Sequence, residues 1–204
     1  MLVSTIWLVS YSVAMTVIRD AAATRQRLID AARAEFAQYG MAGARVDRIA
    51  ANAAANKAQI YNYFGSKDRL FDAVWESVVQ QVVESTPIDA TDLAGYAARL
   101  ADAYRQHPEI RRLVSWQRLE RGHDGPHLFA VQNAKATVDA IAKAQADGTV
   151  SDHFEPGVLL ALIINVASLW TTSSSLEVLT VVDVSAPKLQ REIIRDAVER
   201  LLGQ

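Results

Sequence analysis

The stretch NKAQIYNYFGSK, Asn56–Lys67, decides how this chain is read. It sets two tyrosines, two asparagines, a glutamine and two lysines around one apolar pair, Ile60 and Phe64. A core helix has no use for so many polar tips, and a solvated helix none for so many rings. A helix lying against phosphates and base edges uses both.

Just upstream, Val46, Ile49, Ala50 and Ala53 recur at helical spacing, which predicts a helix of about two turns. Ala53, Ala54 and Ala55 occupy a tight turn. Asn56 is a good N-cap, and Gln59, three residues on, can reach back to complete a capping box. Ile60 then joins Val46, Ile49 and Ala50 on one buried face. Lys57, Gln59, Tyr61, Asn62 and Tyr63 stay on or near the exposed sides. Two short helices joined by a tight turn, the second rich in polar tips, form the helix-turn-helix pattern. The plain alternative is an ordinary corner between two helices. In a major groove, Asn and Gln bond bidentately to adenine, at about 1–3 kcal/mol of discrimination per good pair, whereas Tyr and Lys hold phosphates. Lys67 sits in the first turn of the next helix, where the macrodipole disfavours a cation until an anion arrives. It reads as a phosphate clamp or, more blandly, as a lysine paired with Asp68.

The rest of the chain is consistent with an all-α protein. It has 204 residues, half of them hydrophobic, enough for one domain or two small ones. Absence of cysteine excludes a disulfide scaffold and a thiolate metal site, and fits a reducing cytoplasm. Residues 19–75 carry nine Lys/Arg against six Asp/Glu, and the remainder to the C-terminus twelve against seventeen. A mildly basic front suits a nucleic-acid-facing part.

Residues 1–18 carry no charge; they lack the basic start of a secretory signal, and Ser4, Ser10 and Ser12 interrupt a membrane span. We read residues 1–21 as an extension, with Met15 the preferred start of translation and a genuine extra helix or membrane anchor as the alternative. A first helix is expected from a Thr24 cap to Tyr39, with Ile29, Ala32 and Phe36 as its stripe and Gly40 and Gly43 as its close. A fourth runs from Ser66 toward Glu84 on Phe71, Val74, Trp75, Val78 and Val82. Longer helices follow over 91–106, 110–120 (Leu113, Trp116, Leu119) and 128–146. Two more open at Pro156 and Pro187, the last with Leu189, Ile193, Ala197 and Leu201 four apart. That makes about nine helices; Leu179–Ser185, LTVVDVS, is the one β-like run.

The segment RVDRIAANAAANKAQIYNYFGSKDRLFDAV, residues 45–74, resembles the DNA-binding domain of TetR/AcrR-type transcriptional regulators. The matches are Ile49-Ala50, Ala53, Asn56, Ile60-Tyr61, Tyr63-Phe64, Lys67-Asp68 and Leu70, with Ala31-Ala32, Phe36 and Gly40 before them. The likeness covers about residues 22–82, with the motif at about 45–64. Ala54 stands where the family usually has the turn glycine, Ala55 where it has valine, and Arg45 where a capping Thr or Ser is common. If the turn needs φ > 0, alanine costs about 1 kcal/mol there. Arg45 can instead reach a phosphate.

The resemblance implies that Tyr61, Tyr63 and Lys67 contact phosphates and that Lys57, Gln59 and Asn62 read bases, Gln59 being otherwise a capping residue. It implies that residues 83–204 form a helical effector-binding and dimerisation domain, and HPEIRRLVSWQRLERG, residues 107–122, is similar to a segment of one branch. The partners it implies are a double-stranded DNA operator, a second copy of the chain, and a small-molecule effector. No membrane partner and no cofactor is expected.

The helix of residues 157–170 is apolar on every side and must be covered all round. With the last helix it reads as half of a four-helix dimer interface or, in a monomer, as a central core helix. Tyr96, Tyr104, Trp116, Leu119, Phe129 and Trp170 are candidate effector-pocket liners, with plain core packing as the alternative. His123, Asp124 and His127 resemble a metal set, but Gly125 and Pro126 break any helix between them, and no metal is expected. There is no nucleophile–base pairing, glycine-rich phosphate loop or carboxylate pair to support an enzyme. The rival functions are an all-helical enzyme and an adaptor that does not bind DNA.

Overall fold

The computed structural model describes the backbone of residues 3–121, 128–170 and 185–203, and the side chains of these except 3–19 and 128–133. The β-like run, apart from Ser185, lies outside the described residues. So do His123, Asp124, His127 and the side chain of Phe129. Among the described residues there are nine helices and no strand. They are α1 (Val3–Gly43), α2 (Val46–Asn52), α3 (Lys57–Phe64), α4 (Lys67–Ser85), α5 (Leu93–Gln106), α6 (Pro108–Arg121), α7 (Leu128–Ala146), α8 (Pro156–Ala167) and α9 (Pro187–Leu201). None is long and apolar enough to cross a membrane. The chain divides into two compact units, Met1–Ser77 and Val78–Gln204, with the division inside α4.

In the first unit, Leu28, Ile29, Ala32 and Phe36 of α1 form the buried stripe. They share a core with Ile49 and Ala50 of α2, Ile60 and Phe64 of α3, and Leu70, Phe71 and Val74 of α4. Phe36 and Phe71 meet edge to face, with centroids 5.1 Å apart. Each such large apolar side chain contributes about 1.5–3 kcal/mol by leaving water. Thr24 does not cap α1. No glycine or proline interrupts residues 3–39, so the helix continues through it, and the Thr24 hydroxyl donates to the Asp20 carbonyl at 2.8 Å. Gly40 does end the regular helix: its φ of 69° and ψ of −177° put a kink before Gly43.

In the second unit α5 is central, packing on α6, α8 and α9, while α7 packs on α8 and α8 on α9. Its helix begins later than expected, because Asp92 accepts the Gly95 N–H at 2.8 Å and caps it. Leu93, Leu100, Leu113, Ile141, Leu159, Ile163, Ile194 and Val198 are buried. Asp92, the cap of α5, and Asp102 within it pair with Arg195 and Arg191 of α9, tying the two helices at the surface.

Two stripes need correction. On α6 the buried face is Ile110, Leu113 and Gln117, and Leu119 is 76 % exposed. Spacings of three, as in 113, 116 and 119, fall about 60° short of a turn at each step, so Leu119 swings away from Leu113. This takes Leu119 out of the interior where a pocket liner would stand. On α9, Ile194 and Val198 enter the core, whereas Ile193 is 36 % exposed and Leu189, Ala197 and Leu201 are half-buried. The stripe read from the sequence is the side that its own unit leaves uncovered.

Candidate nucleic-acid interface

The seat of α3 is built from both ends. At its N-terminus Asn56 accepts the Gln59 N–H at 2.9 Å, and the Gln59 side-chain oxygen accepts the Asn56 N–H at 2.9 Å. This reciprocal cap satisfies two orphan donors and fixes where the helix begins. At its C-terminus Gly65 turns the chain with φ 80°, a conformation L side chains rarely adopt. Between these ends Ile60 and Phe64 are buried, and Ile60 shares the core with Ile49.

With one face committed, the other is fixed by helical geometry. Tyr61 is 44 % exposed, Asn62 is exposed and Tyr63 is half-buried, its ring 6.2 Å from that of Phe64. Lys57, at the first position, is exposed and pairs with Asp47 of α2 at 3.2 Å. Arg45 and Asn56 are exposed, and Gln59 is half-buried. So α3 carries Lys57, Tyr61 and Asn62 on its open sides. The Gln59 oxygen is spent on the cap, which removes half of any bidentate contact to adenine.

The turn between α2 and α3 is strained at one point. Ala54 has φ 48°, the one positive φ outside glycine among the described residues. It stands where a glycine was expected from the family resemblance, and the strain follows from that exchange. The turn is held by Arg27, whose Nε donates to the Ala53 carbonyl at 3.2 Å.

Lys67 reaches back: its Nζ donates to the Ala44 carbonyl at 3.0 Å, joining the start of α4 to the segment before α2. One of its three N–H donors is thereby used on the protein itself.

The residues that sequence reasoning missed join α1 to α2 and to the turn before α3. Glu35, 4 % exposed on α1, accepts the backbone N–H of Arg45 at 2.8 Å and pairs with the Arg48 guanidinium at 2.6 Å. Burial alone would push its carboxyl up. The bonds from Arg48 and Arg45 outweigh burial and hold it below the usual carboxylate range. Arg48 also lies over the Tyr39 ring, 4.3 Å from its centroid. The one sequence signal was a carboxylate beside Phe36, within an apolar stripe. For Arg27 and Ala53, 26 residues apart, there was none.

Of the residues proposed to line a pocket, Tyr96 and Tyr104 are buried on α5, Trp116 is half-buried on α6, and Trp170 is half-buried just beyond α8. Trp170 lines a cavity of about 130 Å³ with Ala101, Arg105, Gln190 and Ile194. Neither Tyr96, Tyr104 nor Trp116 lines it.

Comparisons with known proteins agree with this arrangement. Residues 28–74 match the family model described as bacterial regulatory proteins, tetR family, and residues 92–200 match the tetracyclin repressor-like C-terminal domain. The HTH-type transcriptional repressor SCO4008 of Streptomyces coelicolor is 41 % identical over 152 residues, 74 % of this chain and 79 % of that protein. The HTH-type transcriptional repressor NicS of Pseudomonas putida is 32 % identical over 120 residues, 55 % of each. A crystal structure described as a transcriptional regulator, SCO4942 of Streptomyces coelicolor, superposes with a TM-score of 0.76 at 34 % identity, covering 87 % of this chain and 97 % of that one. A capped helix with an open polar side, seated on a three-helix core and followed by a second helical unit of the matching kind, places this chain in the TetR family of transcriptional regulators.

Proposed function

We propose that this regulator is a repressor that binds a palindromic operator as a homodimer and is released by a small molecule taken up in its second unit. The observation that carries the DNA-reading part is the division of α3: Ile60 and Phe64 buried, Tyr61 and Asn62 open on the same two turns. Tyr61, Tyr63, Arg45 and the remaining donors of Lys67 then hold phosphates. Asn62 and Lys57 read base edges, and Asn56 and Gln59 set the pitch of the helix between them. On docking, Lys57 exchanges Asp47 for the DNA.

Dimerisation is supported by α8 and α9, which pack on each other. Val158 and Leu169 are 48 % and 46 % exposed, and Ile193 adds to the same uncovered apolar character. Such surface on adjacent helices suits an isologous interface with a second copy. Two reading heads on one palindrome also supply contacts that a single short helix lacks. Repression is inferred from the two relatives named as repressors. A regulator of this kind acts by binding rather than by catalysis.

A mobility-shift assay on DNA upstream of the chain's own gene tests the reading. A specific complex that weakens steeply as salt rises is expected. Binding indifferent to both salt and sequence would reject it.

A further inference from the structure

The junction of α5 and α6 holds a cation with no anion. Arg111, in the second turn of α6, has its Nε buried with no hydrogen-bond acceptor. Its guanidinium lies over the Tyr104 ring, 5.6 Å from the centroid. Among the described residues no carboxylate pairs with it. Glu109, two residues before, is engaged instead with His107 at 3.4 Å. The other charge acting on Arg111 is that of Arg118, also positive. Arg111 is half-buried, and a guanidinium N–H cut off from water without an acceptor, beside a like charge, is a costly arrangement unless a partner completes it.

The neighbouring polar groups are also uncommitted. Tyr96 and Tyr104, on α5, are 8 % and 7 % exposed; their hydroxyls make no side-chain hydrogen bond among the described residues and, unlike the Arg111 Nε, are not fully shut off from solvent. Burial pushes the Tyr104 hydroxyl up to about 12 and raises that of Tyr96. Arg111 and Tyr96 both act on Tyr104, so the three groups form one neighbourhood. Both hydroxyls stay protonated at neutral pH and are available as donors. On the same two helices Leu100, four residues from both tyrosines, and Ile110 and Leu113, on either side of Arg111 in sequence, are buried.

We propose that this cluster binds the carboxylate of an organic monoacid, with Arg111 as its anchor and Tyr104 and Tyr96 as hydroxyl donors. The planar fork of Arg suits a carboxylate, and the apolar flanks suit a hydrocarbon or aromatic body better than a dianionic phosphate. The inference rests on the reading of the second unit as an effector domain and names the chemical class of its effector.

The full chain is titrated with phenylacetate and octanoate, and with phenylacetamide, octanamide and inorganic phosphate, by calorimetry and melting shift. The carboxylates are expected to bind about tenfold or more tightly than their amides, the ratio set by a hydrogen-bonded charge pair. In Arg111→Gln that preference disappears, in Arg111→Lys part of it remains, and Tyr104→Phe weakens binding while keeping the preference. Circular dichroism melts of each variant confirm that it folds. Equal binding of acid and amide, tighter binding of phosphate, or a preference that survives Arg111→Gln overturns the proposal. If an uncharged compound dissociates the operator complex while the acids do not bind, the carboxylate assignment fails and the effector reading stands. If the acids bind through Arg111 yet no compound alters DNA binding, the effector reading fails.

Discussion

Glu35 and Arg48 stand 13 residues apart in the chain and 2.6 Å apart in space, a carboxylate of α1 clasping a guanidinium of α2. The same carboxylate also takes the backbone N–H of Arg45, so one side chain fixes both the start of α2 and its rotation against α1. Because α2 in turn beds α3, the aim of Tyr61 and Asn62 depends on it.

Glu35→Gln is therefore expected to lower stability by about 1–3 kcal/mol at neutral pH, the loss of hydrogen bonds to a charged partner. The Glu35 carboxyl is depressed in the folded protein, so its contribution is present above its ordinary value of 4.5 and is lost as pH falls through the lower, folded value. Urea melts across pH check this: the wild type should lose stability in that acid window, and the variant should lose less. Parallel pH profiles would show that Glu35 does not act this way.

Ala54→Gly should raise stability by up to about 1 kcal/mol, since it relieves a positive φ of 48° and concedes only the unfolded-chain entropy of glycine. An increased urea midpoint at unchanged slope is the expected readout. A midpoint equal to or below that of the wild type would mean that the turn is not strained.

On the reading face, Tyr61→Ala should weaken operator and unrelated DNA alike, with little change in melting, because the side chain is largely solvated. Asn62→Ala should alter base preference at one position in each half-site by about 1–3 kcal/mol. Lys67→Ala should do two things together: weaken binding uniformly and lower stability, through loss of its bond to the Ala44 carbonyl. Binding titrations on operator variants, paired with melts, separate these effects. A uniform loss for Asn62→Ala would move it from base reader to phosphate contact.

Adjacent positions on α9 should behave oppositely. Ile193→Asp, on the open side, is expected to leave the monomer folded and to weaken self-association by about tenfold or more. Ile194→Ala, 1 % exposed, should cost about 2–5 kcal/mol of folding stability. Sedimentation velocity and chemical melts decide it. A wild-type chain that sediments as a monomer at micromolar concentration rejects the dimer altogether.

What could be read in advance was set by distance along the chain. The Asn56–Gln59 cap, the Ile60–Phe64 pair and the close of α1 at Gly40 involve residues within one or two turns of each other. Thr24 misled because an N-capping residue marks a helix start only where the preceding chain cannot itself be helical, and here it can. Leu119 misled because a spacing of three repeats for a turn or so before it drifts off the face.

The sequence alone therefore determined the approximate places of the helices, the Asn56–Gln59 cap, the polar outer side of α3 and the likeness to a family, since all of these follow from local backbone geometry and residue type. Only the tertiary structure decided that Glu35 meets Arg48, that Arg27 holds the Ala53 carbonyl, that Lys67 reaches Ala44, and that the Ile194 side of α9 enters the core while the Ile193 side stays open. A helix with two neighbouring apolar stripes does not itself specify which one a second helix will cover; that depends on where the second helix comes to lie.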